Sequence, residues 1–396
     1  MRVLTVGNMY PPHYLGGYEV TWRSSVRHLR SLGHSVRVLA ATFRLAEDRP
    51  ELDDDVHREL LWYWADHRFP RFSARERLAV ERRNAAVYSE HMGGFDPDVV
   101  CWWPMGGMSL SAIERTRRAG VPSVGVVGDD WMVYGPKVDA WLRMCARLGP
   151  LRPLVERSTG IPTRLELAEG TWLFNSAYTR RRALEAGWDL RDARVAHPGI
   201  DPTLFRPQPA RPWRWRLLYA GRIERQKGVD LAVDALAHLP AEATLTIVGQ
   251  ADEAYVAELR AAAAQHGAAA RVHVLPPTRD GLTELYADAD AVVFPVRWEE
   301  PWGLVPLEAM ASGTPVAATG RGGSAEYLED GMNCVLFDAA MGGQALAIAL
   351  ERLAASQELR AAIREQGLAT SARFHEQSYN DEILAALEEA AGKGAA

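Results

Sequence analysis

The sequence predicts an α/β protein made of two doubly wound domains. Three observations carry that expectation. The chain has 396 residues, and at about 100 to 200 residues per domain a single core is too few. Apolar, β-branched runs of four to six residues alternate with longer stretches of helical period, the pattern of parallel strands covered by crossover helices. The pattern occurs twice, on either side of His197–Arg216 (HPGIDPTLFRPQPARPWRWR), whose five prolines in 20 residues suit neither a helix nor a sheet interior.

In the first half the expected strands are Val3–Val6, Val36–Ala40, Val99–Trp102, Val124–Val127 and Gly170–Phe174, with a helix over Tyr18–Leu32 after the first. The proline-rich segment is the linker. The second half repeats the pattern with Leu217–Ala220, Thr244–Val248, Val272–Leu275, Ala291–Phe294, Pro315–Ala317 and Cys334–Phe337. Two such sheets in tandem are expected to face a shared central cleft with their C-terminal strand edges, where open α/β sheets bind ligands. The loops that follow strands are therefore where chemistry is sought.

Composition excludes several classes. Apolar residues at 47% and charged residues at 24% are ordinary for a globular chain and disfavour long disorder, collagen and coiled coil. A net charge of −6 is too mild to imply a nucleic-acid partner, but the halves differ. Residues 1–200 carry 28 Lys and Arg against 24 Asp and Glu, the remainder 17 against 27, and nine of the 13 Trp precede residue 200. The first half is expected to hold the more specialised surface. No run of about 18 uncharged apolar residues occurs, and MRVLTVGNMY reads as a strand and loop rather than a signal peptide, so a cytoplasmic protein is expected. Cys101, Cys145 and Cys334 lack CxxC spacing and are expected to be buried, inert thiols, with neither a disulfide framework nor a zinc site.

Three post-strand loops stand out. In NMYPPHYLGGYEV, Gly16 and Gly17 precede a helix, where glycine lets backbone N–H groups approach a phosphate or simply makes a tight turn. The GxGxxG of a dinucleotide site is missing. Arg222 and Lys227 follow the strand Leu217–Ala220 and either converge on a diphosphate or are two solvated cations. In WEEPWGLVPLEAMASGTPVAA, Glu300 lies on a short loop after Ala291–Phe294, Gly303 opens a helix, and Glu308 sits one turn in. The two carboxylates suit sugar hydroxyls and a ribose diol, with free N–H groups near Gly303 for a phosphate. Equally, Glu308 is a helix-surface charge and Glu300 a carboxylate favoured by the helix dipole. Spacing alone does not choose.

Taken together, GRIERQKG (Gly221–Gly228), VVFPVRWEEPWGLVPLEAMASGTPVAA (Val292–Ala318), GGSAEYLEDGMNCVLF (Gly322–Phe337), HPGID (His197–Asp201) and the Gly16–Gly17 loop resemble the retaining GT-B glycosyltransferases of family 4, the glycogen synthase and bacterial mannosyltransferase type. The resemblance implies a GT-B fold of two Rossmann-like domains. Residues 1–198 would bind the acceptor and 199–375 the donor, with a last helix, 376–390, packing back on the first domain. It implies a nucleotide-diphosphate sugar, UDP- or GDP-linked, as co-substrate, with no cofactor and no metal. Arg222 and Lys227 would hold the diphosphate, Glu300 the sugar hydroxyls and Glu308 the ribose, with Gly16, Gly17, Trp302, Gly303 and Leu304 completing the donor site. Transfer would keep the anomeric configuration by same-face attack, the leaving phosphate oxygen helping to take the acceptor proton. Catalytic roles fall to Glu300, Asp129, Lys227 and Arg222.

The chain departs from the family after Val124–Val127. Where the family often has a histidine and then an aspartate, this chain reads Gly128-Asp129-Asp130-Trp131. Asp129 is expected to position sugar or acceptor instead. Two adjacent carboxylates without further ligands make a poor octahedral metal site. The acceptor is expected at Tyr18, Glu19, Trp102, Trp103, Asp130 and Trp131, with Trp62-Tyr63-Trp64 nearby, since indole faces pack on sugar C–H faces. For any single Trp the core is the expected place; at least one of the group is expected in the cleft. Arg68, Arg71, Arg75, Arg77, Arg82 and Arg83, interleaved with Phe69, Phe72, Leu78 and Val80, are expected on one helix. Glu76 and Glu81 dilute the run, which favours a solvated face over a lipid-binding one. A soluble acceptor therefore competes with a lipid-linked one, and peripheral contact with the inner membrane face stays open. The other function classes are a sugar-nucleotide epimerase, a phosphorylase, for which no pyridoxal-binding lysine is evident, and a nucleotide-sugar binding protein without turnover.

Overall fold

The computed structural model describes residues 1–45, 49–65, 68–276 and 281–394. The chain forms two compact units, Met1–His197 with Tyr379–Ala396, and Pro198–Ser378.

The first unit is built on seven parallel strands: β1 (Arg2–Val6), β2 (Ser35–Ala41), β3 (Val56–Leu60), β4 (Val99–Trp102), β5 (Ser123–Val127), β6 (Thr171–Phe174) and β7 (Asp192–Val195), in the order β3-β2-β1-β4-β5-β6-β7. The inner strands β4 and β6 are buried along their whole length, as expected for a sheet covered on both faces. The edge strands β3 and β7 went unseen in the sequence. VHREL and DARV carry charges where inner strands carry Val and Leu, because an edge strand stays partly in water. The helix Glu376–Gly394 buries Tyr379, Ile383, Ala386, Leu387 and Ala390 in one cluster with Val3, Trp22, Val26 and Val99. Asn380 pins it further, through Ser25 at 2.6 Å and Ser24 at 3.0 Å.

The arginine run differs from expectation. Its helix spans only Ala74–Phe95, because Ser73 and Glu76 form a capping box that fixes its start. Arg68, Phe69, Arg71 and Phe72 precede that helix, so the six arginines do not share one helical face. Among the described residues no helix is long and apolar enough to cross a membrane. The three cysteines are buried and free, and burial pushes the Cys101 and Cys334 thiols up to about 12.

The second unit has six parallel strands: β8 (Arg216–Ala220), β9 (Thr244–Val248), β10 (Val272–Leu275), β11 (Ala291–Phe294), β12 (Val316–Ala318) and β13 (Val335–Leu336), in the order β10-β9-β8-β11-β12-β13. Each sheet reverses its winding beside its first strand, between β1 and β4 in one unit and between β8 and β11 in the other. In open α/β sheets that switch point is where ligands bind.

Candidate functional site

In the second unit the loops leaving β8 and β11 are pressed together at the switch point. Gly228 makes this possible. Its φ of 69° belongs to the left-handed region, and a Cβ there would sit 1.9 Å from the Pro295 carbonyl oxygen. Arg297 N–H donates to the Gln226 carbonyl at 2.9 Å across the same seam. The closure brings Lys227 Nζ to 2.6 Å from Glu300 Oε2 and 4.8 Å above the Trp298 ring, while the Trp298 indole N–H donates to the same carboxylate oxygen at 2.7 Å. Lys227 and Glu300 side chains are 14% and 10% exposed, so the pair is largely desolvated yet still reachable. Its backbone is clamped as well: Gly323 N–H donates to the Glu300 carbonyl at 2.6 Å, and Gly322, with φ 65°, leaves no room for a Cβ beside it.

Arg222 lies on the loop leaving β8, its guanidinium 2.8 Å from Glu224 and its carbonyl accepting from the Tyr219 hydroxyl at 2.6 Å. The helix Leu304–Ala311 begins after Gly303, whose φ is 89°, and receives no side-chain cap, which leaves its first N–H groups without a side-chain acceptor. Glu308, on that helix, accepts from the buried Tyr286 hydroxyl at 2.6 Å. Burial first, and then Glu308, raise the Tyr286 pKa, so the phenol stays a donor. Leu304 is the first helical residue.

Trp302 is different from expectation. Its side chain is buried against Tyr327 and Phe374, and its indole N–H donates to the Pro198 carbonyl at 2.9 Å. It fastens the start of the second unit rather than presenting a face to a ligand.

In the first unit Gly16 caps the helix Gly17–Ser31, and Glu19 answers it, its carboxylate accepting from Gly16 N–H at 3.0 Å. That carboxylate is buried and engaged in capping, which corrects its expected place against the acceptor and puts a negative group where Gly16 and Gly17 were expected to meet a phosphate. The Tyr18 hydroxyl donates to the Val126 carbonyl, and its ring lies over Gly128, where a Cβ would meet ring carbons at 2.6 to 2.8 Å. Asp129 is organised by Trp131 N–H at 3.1 Å and the Tyr134 hydroxyl at 2.8 Å. Asp130 has one buried oxygen, Oδ1, without a partner, while Arg182 stands 3.5 Å from the other. Burial raises its carboxyl pKa, against the pull of Arg182.

Trp102, Trp103 and Trp131 are fully buried in the core of this unit. None offers a face to an acceptor, because the large first-half indoles fill volume between sheet and helices. Of the Trp62-Tyr63-Trp64 segment, Tyr63 is buried on Glu81, while Trp62 and Trp64 lie 4.8 Å apart with Phe43 against both and remain partly exposed. Trp298, Tyr286 and Tyr134 were missed from sequence. Trp298 had a signal, two residues before Glu300; the two tyrosines had none.

Residues 202–370, nearly all of the second unit, match the family described as glycosyl transferases group 1. Over 208 residues the chain is 38% identical to the D-inositol 3-phosphate glycosyltransferase of Xylanimonas cellulosilytica, covering 48% of this chain and 49% of that one. The enzyme of the same name from Mycobacterium leprae is 34% identical over 213 residues, 50% and 49% of the two chains. The chain spans about half the length of these curated relatives. Among solved structures, Anabaena Alr3699/HepE in complex with UDP and glucose aligns over 98% of this chain and 100% of that one, with a TM-score of 0.72 and 22% identity. The sucrose-phosphate synthase of Thermosynechococcus elongatus aligns over 97% of each, with a TM-score of 0.73 and 18% identity. The fold, two Rossmann-like α/β domains, is that of the GT-B glycosyltransferases.

Proposed function

We propose that this protein is a retaining glycosyltransferase of family 4 type that moves a sugar from a nucleotide-diphosphate sugar, UDP- or GDP-linked, to a hydroxyl of a small-molecule or glycan acceptor. The observation that carries the reading is the Lys227–Glu300–Trp298 cluster at the switch point of the second unit, beside an uncapped helix N-terminus. An ammonium and the N–H groups of a helix without a side-chain cap suit a diphosphate, and a carboxylate held beside them suits the hydroxyls of the sugar it carries. Glu308, held by the buried Tyr286 hydroxyl, offers a carboxylate acceptor suited to a ribose diol.

In this reading the acceptor oxygen attacks the anomeric carbon from the face that the diphosphate leaves. The new C–O bond forms as the bond to the phosphate oxygen breaks, and the acceptor proton passes to that phosphate oxygen. Lys227, Arg222 and the amides after Gly303 stabilise the developing negative charge without a metal ion. The two relatives are D-inositol 3-phosphate glycosyltransferases, which makes a polyol such as an inositol phosphate the first acceptor to try. Incubation with radiolabelled nucleotide sugars and an acceptor panel tests the proposal. A labelled adduct is expected; an isomerised donor, or binding without turnover, would refute it.

A further inference from the structure

On the edge strand β3, Asp55, His57 and Glu59 follow one another at alternate positions at or beside the strand, and side chains at alternate positions project to the same face. His91, from the helix Ala74–Phe95, closes over that face. The His57 and His91 rings lie 4.7 Å apart and 65° out of parallel, and the ligand atoms of His57, Glu59 and His91 all fall within 4.8 Å of one another.

The distances separate two accounts of this cluster. His57 Nδ1 is 3.3 Å from one oxygen of Glu59, and His91 Nε2 is 3.5 Å from the other. Both exceed the usual range of about 2.7 to 3.2 Å for an N–H···O hydrogen bond. Each contact uses a different oxygen of Glu59, so the carboxylate lies between the two imidazoles, and the three ligand atoms fall within 4.8 Å of one another, close enough for side-chain rotation to bring them to the about 3.3 to 3.4 Å edges of a tetrahedron around a zinc ion. A second observation points the same way. His57 Nε2 lies 2.7 Å from Asp55 Oδ1, which orients the ring and leaves Nδ1 as the nitrogen facing Glu59. A carboxylate behind a ligating imidazole is the usual outer support of a metal site. His91 faces Glu59 through Nε2, and its buried Nδ1 has no hydrogen-bond partner in the protein, so this ring lacks the outer support that Asp55 gives His57.

We propose that His57, Glu59 and His91 bind one divalent transition-metal ion of the zinc class, with solvent completing its coordination and Asp55 as the orienting outer carboxylate. Two imidazoles and one carboxylate select such an ion over magnesium or calcium, which take all-oxygen sites. Arg37, which pairs with Asp55 at 3.0 Å, is a nearby cation and limits the affinity. The ion would tie a partly exposed edge strand to the helix that covers it.

The test uses the full chain without a histidine tag, stripped with chelator and dialysed against zinc, with cobalt as a spectroscopic probe. One zinc per chain and the visible absorption of tetrahedral cobalt are expected. His57→Asn and Glu59→Gln, at positions 31% and 37% exposed and so tolerant of change, should abolish both. Asp55→Asn should weaken zinc about 10- to 100-fold, the usual cost of losing an outer-shell partner. His91→Gln, a buried change, is interpreted only if circular dichroism shows a native fold. No uptake at micromolar zinc, equal uptake by all variants, or uptake of magnesium in place of zinc would overturn the proposal.

Discussion

Replacing Glu300 by Gln keeps the shape of the side chain and removes its charge. In the structure that charge is not a helix-dipole carboxylate: the helix starts at Leu304, and the Glu300 oxygen is aimed at Lys227 Nζ, 2.6 Å away, and the Trp298 indole, 2.7 Å away. A dipole role would put the stability cost of Glu300→Gln at a few tenths to about 1 kcal/mol. Removing one member of a buried pair costs about 3 to 5 kcal/mol. Here a glutamine oxygen can still accept from Trp298, so the loss approaches that of one hydrogen bond between charged groups, about 1.5 to 3 kcal/mol. The geometry also couples two functions that the sequence kept apart. Because Glu300 holds the lysine expected on the diphosphate, its replacement should disturb nucleoside diphosphate binding as well as transfer, and transfer should fall about 10²-fold as the anomeric carbon loses its position. Hydrogen exchange of the β8 and β11 amides in Glu300→Gln, Lys227→Met and the double variant reads the local stability. The single costs should exceed the double by about 1 kcal/mol or more. Additivity within about 0.3 kcal/mol, or near-normal transfer by folded Glu300→Gln, would refute the reasoning.

Arg222→Ala and Lys227→Ala should each lower turnover by about 10²-fold or more, the scale for losing one preorganised charge-stabilising donor; normal rates in both folded variants would reduce them to surface cations. Transfer should persist in EDTA, and a loss reversed by manganese would contradict the assignment of diphosphate stabilisation to Lys227, Arg222 and helix amides. Gly128→Ala should destabilise the first unit by about 1 to 3 kcal/mol, since its Cβ would press into the Tyr18 ring, and Tyr18→Ala should relieve that cost; equal melting of Gly128→Ala and the parent would count against it. Burial raises the Asp139 carboxyl from 3.8 to about 7, with Glu81 beside it and itself raised by burial, so the folded chain keeps protons that the unfolded chain releases and stability should fall as pH rises from about 4 to 7. Urea midpoints should show a flatter decline in Glu81→Gln, and an unchanged slope would remove the pair as its source.

The parts legible in the sequence were those whose signal is local. Buried strands such as β4 and β11 announce themselves as short apolar runs, and the loops after β8 and β11 carry their glycines and charges within ten residues of the strand. What was not legible depends on packing across long separations. Tyr286 meets Glu308 only because the chain returns 22 residues later, and the Lys227–Glu300 contact joins residues 73 apart. Indoles mislead for the same reason. Trp102 and Trp103 sit at the end of β4 and Trp131 opens the helix after β5, where a ligand would be sought, but all three are buried in the core. The polar edge strands β3 and β7 have no periodicity to read, since water competes for half of their side chains.

Gly128 shows how such packing changes the chemistry left to the site. The family's histidine is expected at that position, yet the space above it belongs to the Tyr18 ring, brought in by the helix that follows Gly16 and Gly17 and fixed by its hydroxyl on the Val126 carbonyl. Burial raises the Tyr18 pKa, so the phenol is a standing donor to that carbonyl. The Gly128 carbonyl in turn accepts from the Asn175 amide at 2.8 Å, so this backbone is held from both sides. A side chain cannot be placed here without displacing the tyrosine. Asp129 is shared between Trp131 N–H and the Tyr134 hydroxyl. Asp130 keeps a buried oxygen without a protein donor, a costly arrangement unless some other donor meets it. On the reading proposed above, Asp130, two residues after Gly128, is the group expected to accept from a substrate hydroxyl.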